Sequence, residues 1–140
     1  MKKLVGPLLD RIDIQLEVSS TKYEKLEDIK NPESSQIIKE RVNKARNIQI
    51  TRYKHENIYC NAFLSPKLIS KYCALDEDSK KILKSAFEKL SLSARAYSKI
   101  LKVARTIADL DEVENIQKKH IAEAIQYRSL DKKYVNIKYN

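Results

Sequence analysis

The stretch LSLSARAYSKILKVARTIADL, residues 90–110, decides the fold. Ser93 is a good helix N-cap, because its hydroxyl can accept from the backbone N–H groups that a helix start leaves unpaired. Behind it Tyr97, Ile100, Leu101, Val103, Ala104, Ile107 and Ala108 recur at three- and four-residue steps and cover a wide arc. Arg95, Lys99, Lys102, Thr106 and Asp109 form the narrower polar stripe. A helix that is apolar around so much of its surface needs neighbours on several sides. The spacing therefore predicts a central helix over 94–110.

Outward from that helix the pattern stays helical. Asp76 caps a predicted helix over 77–90, with Leu83, Ala86, Phe87 and Leu90 as its stripe. Ser65-Pro66 gives a cap followed by a proline at the first helical position, opening a short helix that ends near Ala74. Asn31-Pro32 repeats the signal and opens a helix reaching about Lys54, with Ile38, Val42, Ala45 and Ile48 on one face. On the other side a short acidic connection (Asp111, Glu112, Glu114) leads to a last helix from Gln117 to Arg128, with Ile121, Ala124 and Ile125 inside. The fold class expected is mainly α: a bundle of four to five helices.

One block breaks the pattern. In RIDIQLEV, residues 11–18, Ile12, Ile14, Leu16 and Val18 alternate with polar residues, which is the period of a half-buried strand. A lone strand has no ladder partner. Its sheet lies elsewhere, or it pairs with a second copy of the chain, or it is a frayed end. The organisation expected is thus 1–18 as a strand-bearing remnant, 19–33 as a polar linker, 34–131 as the helical domain and 132–140 as a basic tail.

Composition removes several function classes. The 140 residues contain one glycine, whereas a phosphate-binding G-x-x-x-x-G-K loop needs two and a dinucleotide fingerprint three. No G-x-S-x-G is present. Asp10 and Asp13 lie three apart with nothing to shape a pocket around them. Cys60, Cys73, His55 and His120 lack metal-ligand spacing, so no metal site is expected and the thiols read as buried or idle in a reducing compartment. The apolar start is cut off by Asp10, Arg11 and Asp13, and no run approaches a membrane span, so a cytoplasmic chain is expected.

Charge leaves a binding function open. With 28 Lys+Arg against 19 Asp+Glu the formal net charge is +9. Lys39 and Arg46 on the first helix, and Lys99 and Lys102 on the central one, are candidate phosphate contacts, and solvated helix faces are the plainer reading of the same residues. Arg95 is more specific. In the first turn of a helix, its fork would act together with the free N–H groups and the dipole on an anion.

GPLLDRIDIQLEV (6–18), ESSQIIKERVNKAR (33–46), LSLSARAYSKILKVARTIADL (90–110) and HIAEAIQYRSLD (120–131) resemble the C-terminal part of the magnesium-chelatase-related AAA+ ATPases of the ComM/YifB type. The likeness covers Gly6 to Asp131 and implies a lid domain whose nucleotide loop lies in a separate core, with strand 12–18 closing that core's sheet. It implies ATP with magnesium in the full-length protein, a homo-oligomeric ring, in all expectation a hexamer, and a DNA-remodelling motor of the branch-migration, competence-related kind. Arg95 matches the sensor-2 arginine that reaches the γ-phosphate. Arg11 matches the place of an arginine finger acting on a neighbouring subunit. Ser98, where the family pattern has histidine, and Asp111, where a glycine often stands, depart from it, as do Met1 to Val5. A separated part of this kind would not be catalytic alone. The reading of a different class is a stand-alone basic helical adaptor that binds nucleic acid or protein.

Overall fold

A computed structural model describes residues 11–18, 20 and 32–128. Among them are five α-helices and one 3-10 turn: α1 (Ser35–Tyr53), the turn Asn61–Phe63, α2 (Pro66–Tyr72), α3 (Glu77–Leu90), α4 (Ala94–Leu110) and α5 (Lys118–Gln126). The mainly helical class read from the sequence is the one observed. α4 lies at the centre, packed against α1, α2, α5 and the 3-10 turn, while α3 packs on α5. An isolated bridge, Leu75 with Ile116, ties the two connections that precede α3 and α5.

Capping sets four of the five helix starts. Ser65, Asp76 and Ser93 cap α2, α3 and α4, each accepting from the backbone N–H three residues on. α1 starts later than expected. Its cap is Ser34, whose hydroxyl accepts from Ile37 N–H at 3.3 Å, and Asn31 lies outside the described residues. α5 uses a histidine instead: His120 Nδ1 accepts from the Gln117 N–H at 2.9 Å. Since the only glycine is Gly6, left-handed backbone elsewhere falls on other residues. Asn57, Ser91 and Glu112 have φ of 47°, 50° and 56°, a conformation that costs a side-chain-bearing residue about 1–2 kcal/mol.

The core forms on α4 as its spacing predicts. Ile100, Ala104 and Ala108 are fully buried, with Ala96 and Leu101 nearly so, and they meet Ile121 and Ala124 of α5. The core along α4 thus combines three alanines with Ile100 and Leu101. α1 differs from expectation. Ala45 is buried, but Ile38 and Val42 are 41% and 43% exposed. The inward line continues instead through Gln49 and Tyr53. Cys60 and Cys73 are buried and unpaired.

The segment predicted as a strand, residues 12–18, forms none among the described residues, and its apolar face is turned outward. Ile12 and Val18 are 39% and 88% exposed, whereas Gln15 is 7% exposed. The reason is the partner on offer. The bundle presents carbonyls and charged side chains here, not a sheet edge. Gln15 N–H donates to Tyr127 O at 2.9 Å, Asp13 pairs with Lys99, and the Ile12 carbonyl accepts from Arg128. Of the linker, residues 19 and 21–31 lie outside the described residues, as does the tail 132–140.

Candidate functional site

Arg95 is the second residue of α4, one position inside the helix that Ser93 caps. Its side chain is exposed, and among the described residues it has no hydrogen-bond or ion-pair partner. The next basic residues along α4 are all engaged. Lys99 pairs with Asp13 at 2.5 Å and donates to the Arg11 carbonyl at 2.7 Å. Lys102 donates to the Ala62 carbonyl at 2.9 Å. Arg105 is 3% exposed. Lys99 lies one turn beyond Arg95 on the same face, so its bond to Arg11 brings the backbone of Arg11 to the entrance of α4. The Arg11 residue is itself exposed. Arg95 thus stands in the first turn of α4, and the Arg11 backbone is tied to Lys99 of its second turn.

Beside the start of α4, Phe87 of α3 and Tyr97 meet edge to face, with centroids 6.3 Å apart. They wall an open cavity of about 510 Å³ whose rim carries Lys80 and Lys84.

The four candidate nucleic-acid contacts divide. Lys39 and Arg46 are exposed on α1. Lys99 and Lys102 hold the structure together, as just described. Elsewhere on α1, Arg41 and Lys44 are neutralised by Glu33 and Glu112. Among the described residues no three of His, Cys, Asp and Glu come together in a way that could hold a metal ion, and no helix there is long and apolar enough to cross a membrane.

The largest polar feature is one the polar-stripe reading misses. Asp109, placed by spacing on the solvent stripe, is fully buried. Its carboxylate accepts from both terminal nitrogens of Arg52 (3.0 and 2.5 Å), from Asn61 Nδ2 (2.8 Å) and from Arg105 Nε (3.2 Å). Tyr53 donates to Asn61 Oδ1 at 2.6 Å, and Gln49 Oε1 accepts from the Asn61 N–H at 3.3 Å. Arg105 also donates to the carbonyls of Glu114 (2.6 Å) and Val113 (2.9 Å). One carboxylate thus joins α1, the 3-10 turn, α4 and the connection to α5. Burial pulls the Arg105 guanidinium below its ordinary range and pushes the Tyr53 phenol up. Burial likewise pushes the Cys73 thiol up to about 11, so it stays a protonated, inert thiol. The available signal was the four-residue spacing of Arg105 and Asp109, which puts both on the arc of Leu101 and Ala108.

A second polar cluster closes the α4–α5 connection. Lys119 and His120 both contact Asp111 Oδ2, at 2.5 and 3.2 Å, and the Lys119 contact foremost holds the Asp111 carboxyl below its usual value.

These features define a helical domain with a well-tied interior and, at the mouth of its central helix, an arginine without a partner among the described residues. The chain belongs to the family described as magnesium chelatase, subunit ChlI C-terminal, whose model matches residues 32–128. It is 40% identical to the competence protein ComM of Haemophilus influenzae over 93% of its own length, and 37% identical to the uncharacterized protein YifB of Salmonella typhimurium over 98%. An uncharacterized protein of Mycobacterium tuberculosis, Rv2897c, is 27% identical over 90%. The chain spans about a quarter of the length of these relatives. The family read from residues 90–110 and 120–131 is thereby confirmed. Of the departures from the family pattern, Ser98 donates to the Ala94 carbonyl, Asp111 sits at φ −80°, and Met1 to Val5 lie outside the described residues. A glycine is not required at 111, since the left-handed residue is Glu112.

Proposed function

We propose that this chain is the lid of an AAA+ ATPase and works only beside a nucleotide-binding core. The observation that carries the reading is Arg95. It is the one basic residue of α4 left exposed and without a partner among the described residues, and it stands where a helix start already favours negative charge. In this role Arg95 binds the γ-phosphate of ATP held by the core and stabilises the charge that spreads over the transferring group. Arg11, tied through its carbonyl to Lys99, acts as an arginine finger on the neighbouring subunit of a homo-oligomeric ring, expected to be a hexamer. A finger is worth roughly 10³–10⁵ in rate. Magnesium accompanies the nucleotide and takes its protein ligands from the core.

In this reading residues 1–18 belong to the core, 19–33 are the linker and 34–131 the lid. The outward-facing Ile12, Ile14, Leu16 and Val18 are what such a strand offers a sheet. The likeness to a protein named for competence supports DNA processing as the setting, with Lys39 and Arg46 the more available of the four basic candidates and Lys99 and Lys102 the less. The cytoplasm is the compartment that fits.

The test is ATP turnover by a polypeptide that joins the core of the Haemophilus relative to this chain. Arg95→Ala is expected to lower turnover at least tenfold, and Arg95→Lys to recover only part of it, because the bidentate fork is lost. Arg11→Ala should be rescued in mixed rings by subunits that keep Arg11. Full turnover in Arg95→Ala contradicts the sensor role.

A further inference from the structure

The loop between α1 and α2 turns two aromatic rings outward. Tyr59 and Phe63 are 62% and 54% exposed and meet edge to face, with centroids 5.2 Å apart. Their placement is enforced from inside. Cys60, Asn61 and Leu64 of the same turn point into the bundle, and Asn61 is clamped by Tyr53, Gln49, Thr106 and Asp109. Rolling the rings inward would tear Asn61 from those partners. The rings are therefore presented on a fixed scaffold, and little order has to be imposed when they bind.

The charge around them is mostly positive. Lys54 closes α1 just before the loop, and Lys67 stands in the first turn of α2 just after it. Both are exposed and, among the described residues, neither is hydrogen-bonded or ion-paired. Lys102 reaches the Ala62 carbonyl, next to Phe63, and helps to hold the turn in place. The only acid of the loop, Glu56, is already taken by Lys71 at 2.5 Å and the Tyr72 hydroxyl at 2.7 Å.

Exposed ring faces beside exposed cations match a ligand with planar faces and a line of negative charge. A duplex hides its base faces in the stack, and an acidic peptide would use the lysines but not the rings. We infer that Tyr59 and Phe63 form a stacking platform for single-stranded nucleic acid, with Lys54 and Lys67 facing its phosphates. This site is separate from the ATPase reading and from the basic candidates on α1, and it needs neither.

Fluorescence anisotropy of labelled oligo(dT) and oligo(U) with the full 140-residue chain at low salt tests it. Both strands are expected to bind within a few-fold of one another, since stacking does not read the sugar, and duplex more weakly. Tyr59→Leu with Phe63→Leu keeps apolar bulk but removes the ring faces. It should weaken binding by about tenfold per ring with the salt dependence unchanged. Lys54→Ala with Lys67→Ala should lower the salt slope by about 0.7 per lysine. The rings are exposed, so unchanged thermal unfolding is expected in the leucine pair and confirms that the fold is intact. Native affinity in that pair, or no binding by the native chain, overturns the inference and leaves the rings as a protein-docking surface.

Discussion

Arg95 and Arg105 sit ten residues apart on the same helix and have opposite fates. Arg105 is buried, with one nitrogen on Asp109 and two on the carbonyls that follow α4. Arg95 is exposed and, among the described residues, holds nothing. The difference follows from position. Toward the C-terminal half of α4 a guanidinium reaches Asp109 one turn on and the carbonyls of the connection that folds back on it, so it is absorbed into the fold. At the N-terminal end it meets N–H groups that repel it, and what the two jointly attract is an anion. The same residue type is thus structural at one end and available for a ligand at the other.

The comparison breaks most violently at Asp109. Asp109→Ala leaves Arg52 and Arg105 facing each other without their shared carboxylate and should cost about 3–5 kcal/mol, read as the loss of unfolding free energy in urea. Ser93→Ala attacks the other end. It removes the bond to the Ala96 N–H and should cost about 1 kcal/mol in the same measurement. A smaller effect tests the closure of α4 onto α5. The contacts from Lys119 and then His120 depress the Asp111 carboxyl from its ordinary 3.8, so the unfolded chain takes up that proton first as pH falls. The stabilisation is present above about pH 4 and drains away as pH falls through the depressed value. Asp111→Asn should flatten the acid limb of a stability–pH curve and leave its neutral plateau shape unchanged.

Legibility in the sequence followed the same divide. Helix entrances were readable, because Ser65, Asp76 and Ser93 act locally and a cap needs only its own next turn. The apolar arc of α4 was readable for the same reason. Asp109 was not, because its burial depends on Arg52 and Asn61, which are far away in the chain and arrive only when α1 and the 3-10 turn have packed. On α1 the apolar spacing named Ile38 and Val42, which are exposed, and did not name Gln49 and Tyr53, which are buried. The alternation in 12–18 was real, but a strand is a property of two segments, and the described residues contain only one. Arg95 was visible by position and by resemblance together. What spacing could not say is that its basic neighbours on α4 would all be used up.

The most direct measurement pairs two readouts on one variant. In the polypeptide that joins an AAA+ core to this chain, Arg95→Ala should leave the unfolding free energy within about 0.5 kcal/mol of the parent while ATP turnover falls at least tenfold. An unchanged turnover would contradict the role assigned to Arg95, and a loss of turnover matched by a loss of stability would place this arginine with Arg105, among the residues that merely hold the bundle together.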